Sequence, residues 1–111
     1  MKLHQKSRDK LGERYDVHRL GEIYVRRDQL EKAEETFNTA IQLFIQAKDI
    51  TGQGMVQVGL GEIEMQRGKL VDAERTMERG MEMIKRGKDA WKERQASVKI
   101  AELMSRKAEL D

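Results

Sequence analysis

Shifted by 40 residues, the chain falls on itself. Leu20-Gly21-Glu22-Ile23 lands on Leu60-Gly61-Glu62-Ile63, and again, more loosely, on Ile100-Ala101-Glu102-Leu103. Leu30, Ala33, Glu34 and Thr36 land on Leu70, Ala73, Glu74 and Thr76, while Asp9, Gly12 and Arg27 land on Asp49, Gly52 and Arg67. A fixed period in this range marks stacked supersecondary units, none of which can bury its apolar face alone.

Each unit reads as two helices. The first is predicted over 10–27 and again over 50–67, with Val17, Leu20, Ile23 and Tyr24 in the i, i+3, i+4 rhythm of one helix face. The second is predicted over 29–48 and 69–88. There Leu30, Ala33, Phe37, Ala40, Ile41 and Phe44 are matched by Leu70, Ala73, Met77, Gly80, Met81 and Ile84. Proline is absent, against an average usage of about 5%, which agrees with helical continuity. The expected fold class is all-α: stacked antiparallel helix hairpins forming an α-solenoid segment, closed by a C-terminal helix.

The punctuation fits. Asp28 and Glu31 have capping-box spacing, and Gly68 suits a left-handed helix end. Asp9, Asp49 and Asp89 stand where each new first helix should start, a favoured N-cap choice. Gly21, Gly61 and Ala101 are expected to face Ala33 and Ala73 across the hairpins. Glycine inside a helix costs about 1 kcal/mol against alanine, so its return at one phase argues for a packing reason.

With Leu20-Gly21, Tyr24, Leu30, Ala33, Phe37 and Ala40, the first unit resembles a tetratricopeptide repeat. The second keeps Leu60-Gly61, Gly68, Leu70 and Ala73 and departs at Glu64, Met77 and Gly80. The common unit of that family has about 34 residues. The longer period and the connection Lys48-Asp49-Ile50-Thr51-Gly52-Gln53-Gly54 resemble instead the long subclass of Pins-like adaptors and of sensor arrays in STAND-type ATPases.

The period partitions the chain as 1–9, the end of a preceding unit's second helix, then 10–49 and 50–89 as two full units, and 90–111 as a capping helix. Met1, Leu3 and Ser7 match Ile41, Leu43 and Ala47 in character. Two units are few for a stable stack, so an excised array segment or a homo-oligomer through the open N-terminal face is expected, with a small monomer as the alternative.

The resemblance implies that first helices line a concave groove holding a peptide or partner protein. Its stripe is Tyr15, His18, Glu22, Val25 and Arg26, then Met55, Val58, Glu62, Met65 and Gln66, then Gln95, Val98, Glu102 and Arg106. Glu22, Glu62 and Glu102 recur once per unit, which predicts an acidic groove for a basic and apolar ligand. Ordinary solvated helix formers are the alternative for those glutamates. The Lys and Asn residues with which chaperone-tail binders of that family clamp a terminal carboxylate are missing.

Other classes find little support. Without cysteine there is no disulfide, thiolate metal site or cysteine nucleophile, which is compatible with a reducing, cytoplasmic setting. His4 and His18 lack further ligands at metal spacing, and Met65, Met77, Met81, Met83 and Met104 read as core filler. Ser7, Ser97 and Ser105 belong to no catalytic motif, and Gly52-Gln53-Gly54 is too short for a phosphate loop, so neither an enzyme nor a cofactor is expected. No apolar run is long enough for a membrane span. Net charge is +2, from 22 basic and 20 acidic residues that alternate in sign. Nucleic-acid binding stays as the alternative function, through Arg8, Arg14, Arg19, Arg26 and Arg27 near the N-terminus, although acids interleave with them.

Overall fold

The computed structural model describes the backbone of residues 2–110 and the side chains of 12–110. Five helices follow one another: α1 (Lys2–Arg26), α2 (Leu30–Gln46), α3 (Ile50–Gln66), α4 (Leu70–Arg86) and α5 (Ala90–Leu110). They pack as stacked antiparallel hairpins, α1 with α2 and α3 with α4, and α5 closes the stack against α4. The matches proposed for Met1 and for the side chains of Leu3, His4 and Ser7 lie outside the described residues.

The four connections are one turn used four times. Asp28, Lys48, Gly68 and Lys88 all have positive φ, at 59°, 56°, 81° and 56°. Each sits just past a helix end, where the backbone must turn left-handed to reverse direction. At the first, the Asp28 amide donates to the Val25 carbonyl at 3.0 Å and the Gln29 amide to the Tyr24 carbonyl at 2.9 Å. The same pair recurs at Lys48 and Asp49, and at Gly68 and Lys69. These bonds satisfy carbonyls that a helix end otherwise leaves unpaired, and they hold three non-glycine residues in a conformation costing roughly 1–2 kcal/mol. Asp28 is therefore not the helix cap its spacing with Glu31 suggested. Gln29 takes that position and makes no side-chain cap bond.

Asp49 and Asp89 do cap, accepting from the Gly52 amide at 2.9 Å and the Lys92 amide at 3.0 Å. Asp9 does not start a helix: α1 runs unbroken from Lys2 to Arg26. Among the described residues no second helix packs back at that point, so nothing there offsets the strain of a left-handed turn.

The core runs along the stack in three clusters. Phe37, Phe44, Ala33 and Ala40 of α2 meet Val25 of α1 and Val56 and Ile63 of α3. Ala73 and Met77 of α4 meet Met65 of α3 and Leu103 of α5. Ile84 of α4 meets Val58 and Ala96. Gly21 faces Phe37 rather than Ala33: a Cβ at Gly21 would stand 2.6 Å from its Cε1. Ala101, the third member of that row, is exposed.

Ion pairs staple successive units. Arg67 Nη1 lies 2.7 Å from Glu34 Oε2. The Lys107 ammonium pairs with Glu74, which is the same contact one period later.

Candidate functional site

Because each hairpin turns the chain back on itself, α1, α3 and α5 run the same way along one side of the stack. Between them lies an open groove of about 530 Å³. Its α1 wall carries Tyr15, His18, Arg19, Glu22 and Arg26. The floor is Met55, Val58, Gly59 and Glu62 of α3, with Ile84 of α4 beneath. Trp91, Lys92, Gln95, Ala96, Val98 and Lys99 of α5 form the other wall.

Seven of the ten principal candidates meet here: Tyr15, His18, Glu22, Arg26, Met55, Val58 and Glu62. Gln95 and Val98 join them. Met65 does not, being buried at 3% exposure among Ala73, Met77 and Leu103. Val25, its counterpart one period earlier, is buried against α2. Gln66 and Glu102 are exposed and lie outside the lining, as does Arg106.

The inward turn of Val25 and Met65 has one cause. Successive helix residues are about 100° apart, so positions 19 and 59 flank the stripe through 15, 22 and 26 on the side away from 25 and 65. The groove is centred towards the row Arg19, Gly59 and Lys99, leaving the opposite row to turn into the core. That row recurs at the 40-residue period and was the available signal for Arg19 and Lys99. Trp91 and Lys92 come from the start of α5, and only the stacking brings them opposite α1.

The acidic groove expected from Glu22, Glu62 and Glu102 is not what the lining presents. Four cations, Arg19, Arg26, Lys92 and Lys99, stand against two carboxylates, Glu22 and Glu62. Glu62 is paired from within, and Glu22 has the His18 imidazole beside it. Glu62 Oε2 lies 3.1 Å from Lys99 Nζ, and Glu22 Oε1 lies 3.6 Å from His18 Nδ1. Glu102 turns away towards Arg106, at 3.7 Å. Among the described residues Arg19 and Arg26 form no ion pair. The lysine that pairs with Glu62 is 37 residues away on another helix, while the charges of Glu22 and Glu102 still act on it.

Burial tunes the ionisable groups. It lowers the His18 pKa below the usual 6.5, and the Glu22 carboxylate opposes this while Lys92 and Arg19 add to it. His18 also packs on Phe37, with ring centroids 5.6 Å apart. Burial raises the Glu62 pKa above 4.5, more than Lys99 lowers it. It raises the Tyr15 phenol as well, helped by Asp49 and Asp89. Tyr15 stands edge-on to Phe44 at 5.7 Å, and Lys92 Nζ lies 5.5 Å from its ring centroid.

The groove thus presents Met55 and Val58 beside Glu62 on its floor, an exposed indole, and cations on both walls. Among the described residues no group of three or more His, Asp or Glu side chains comes together as a metal cluster. No helix among them is long and apolar enough to cross a membrane. Comparison with family models, curated proteins and solved structures finds no match.

Proposed function

We propose that this chain is an interaction module of tetratricopeptide-like type that holds a segment of a partner protein in the groove between α1, α3 and α5. The observation that carries this reading is the convergence of three successive first helices on one groove. The apolar part of the floor, Met55 and Val58, lies there between Arg19 and Arg26 on one wall and Lys92 and Lys99 on the other. Opposite potentials steer encounter, so a segment combining acidic and apolar side chains fits better than a basic one. Met55 on the floor adapts its shape to such a ligand.

The chain's single tryptophan reports on the site, since Trp91 is 63% exposed on the groove wall. Two amidated peptides with the same leucine pattern, one Glu-rich and one Lys-rich, can be titrated while Trp91 emission is followed. The Glu-rich peptide should give a saturable change, weakened by salt and lost in the Arg19→Glu, Lys92→Glu variant. If neither peptide perturbs Trp91, the interaction reading fails. Tighter binding of the Lys-rich peptide removes the charge assignment alone.

One observation favours a second reading. An exposed tryptophan among four cations also suits a single-stranded nucleic acid, whose bases stack on aromatic rings while phosphates follow the cations. Glu22 and Glu62 in the same lining oppose it. Saturable binding of an oligothymidylate with a steep salt dependence would favour this alternative.

A further inference from the structure

The period makes three first helices comparable position by position, and two of them show how their outer face is used. On α3, Leu60 and Ile63 pack into the α2 cluster, and Arg67 pairs with Glu34. On α5, Ile100 and Leu103 pack into the α4 cluster, and Lys107 pairs with Glu74. The equivalent positions on α1 are Leu20, Ile23 and Arg27. Ile23 is 38% exposed, against 1% for Ile63 and 0% for Leu103, and Leu20 is 42% exposed where Leu60 and Ile100 are half-buried. Arg27 forms no ion pair among the described residues. A Cβ at Gly12 would meet nothing within 4 Å, whereas at its counterpart Gly52 it would run into the Phe44 ring.

We propose that this α1 face is a docking surface for an amphipathic helix of the α4 type supplied by another protein. Two apolar residues one turn apart and a cation one turn further on repeat the surface that α5 offers to α4. The occupant they fit has a small residue, a glutamate and a flexible apolar residue in the spacing of Ala73, Glu74 and Met77. An α2-type helix fits less well. Its Phe37 ring occupies the space over Gly59, and α1 has Arg19 at that position, as α5 has Lys99.

A fluorescein-labelled, amidated peptide spanning residues 69–88 tests this by anisotropy against the full chain. Saturable binding is expected. It should be lost in the Leu20→Asp, Ile23→Asp variant, whose circular dichroism stays unchanged because both side chains are exposed in the free chain. Arg27→Glu should weaken binding several-fold, in line with exposed charge pairs worth about 0.2–1 kcal/mol, and a Glu74→Lys peptide should restore it. Absence of saturable binding, or binding indifferent to the Leu20 and Ile23 changes, overturns the proposal. So does a dimer in sedimentation that those changes dissolve and the peptide does not displace, because the occupant is then a second copy of this chain.

Discussion

The two hairpins are closed in different ways by the same 40-residue unit. In α3–α4 the backbones themselves approach: a Cβ at Gly54 would stand 2.6 Å from the Gly80 carbonyl oxygen, and one at Gly80 would stand 2.6 Å from that of Gly54. The equivalent residues of α1–α2 are Arg14 and Ala40, and there the helices stay further apart. Aromatic rings fill the wider space. Phe37 sits between Gly21 and Gly59, and Phe44 lies against Tyr15. In the second hairpin the corresponding residues are the slimmer Met77 and Ile84. Glycine and bulk thus trade across the interface: each ring needs a missing side chain opposite, and where both sides are small the helices close the gap.

Breaking the ring-filled hairpin should have the largest effect. Phe37→Ala is expected to lower unfolding free energy by about 3–5 kcal/mol in urea titrations, since the fully buried ring leaves a cavity. Gly21→Ala sharpens the point. Alone it should destabilise by about 1–3 kcal/mol, because the new methyl meets the ring. In the Phe37→Ala background its sign should reverse, as the clash disappears and alanine's helix propensity, worth about 1 kcal/mol, remains. A Gly21→Ala effect that stays destabilising in that background would contradict the ring-and-space account.

Gly80→Ala probes the other hairpin, with an expected loss of about 1–3 kcal/mol. Its nearest obstacle is backbone, the Gly54 carbonyl oxygen at 2.6 Å, so trimming the neighbouring Val58 side chain should not relieve it. Ala40→Gly, the reciprocal change in α2, should be destabilising by only about 1 kcal/mol plus a small loss of packing.

Smaller effects follow from pH. The depressed His18 pKa means the unfolded chain binds more protons just below pH 6.5. Stability should therefore fall as pH drops through that window, and His18→Gln should flatten the slope. Glu62 acts with the opposite sign. Its raised pKa makes the folded chain bind more protons above 4.5, so its contribution weakens as pH rises through that window. Glu62→Gln should remove that decline. The inter-unit staple is the weakest test: Arg67→Ala should change stability by less than about 1 kcal/mol, and less still in high salt.

Much of this architecture is legible in the residues. The 40-residue match locates both hairpins and the closing helix, and the aspartates at 49 and 89 mark helix starts that their side chains cap. What is not legible depends on three-dimensional neighbours. Asp28, Lys48 and Lys88 carry no glycine signal for their left-handed turns, which backbone hydrogen bonds hold in place. Leu20 and Leu60 have the same local context but different exposure, because only α3 has a helix lying over that face. In the groove, the expected stripe and the observed lining differ by a fraction of a turn. That fraction decides that Arg19 and Lys99 enter while Val25 and Met65 turn inward. Counting one row of glutamates also omits the lysine that pairs with Glu62 from α5.

The proposed binding face is the side of the stack formed by α1, α3 and α5. Amide chemical-shift mapping of the isotopically labelled chain with the Glu-rich peptide tests it directly. The account predicts shifts concentrated at Arg19, Glu22, Met55, Gly59, Trp91, Lys92 and Lys99. Shifts centred instead on Asn38, Lys69 and Thr76, which line a second cavity between α2 and α4, would contradict it.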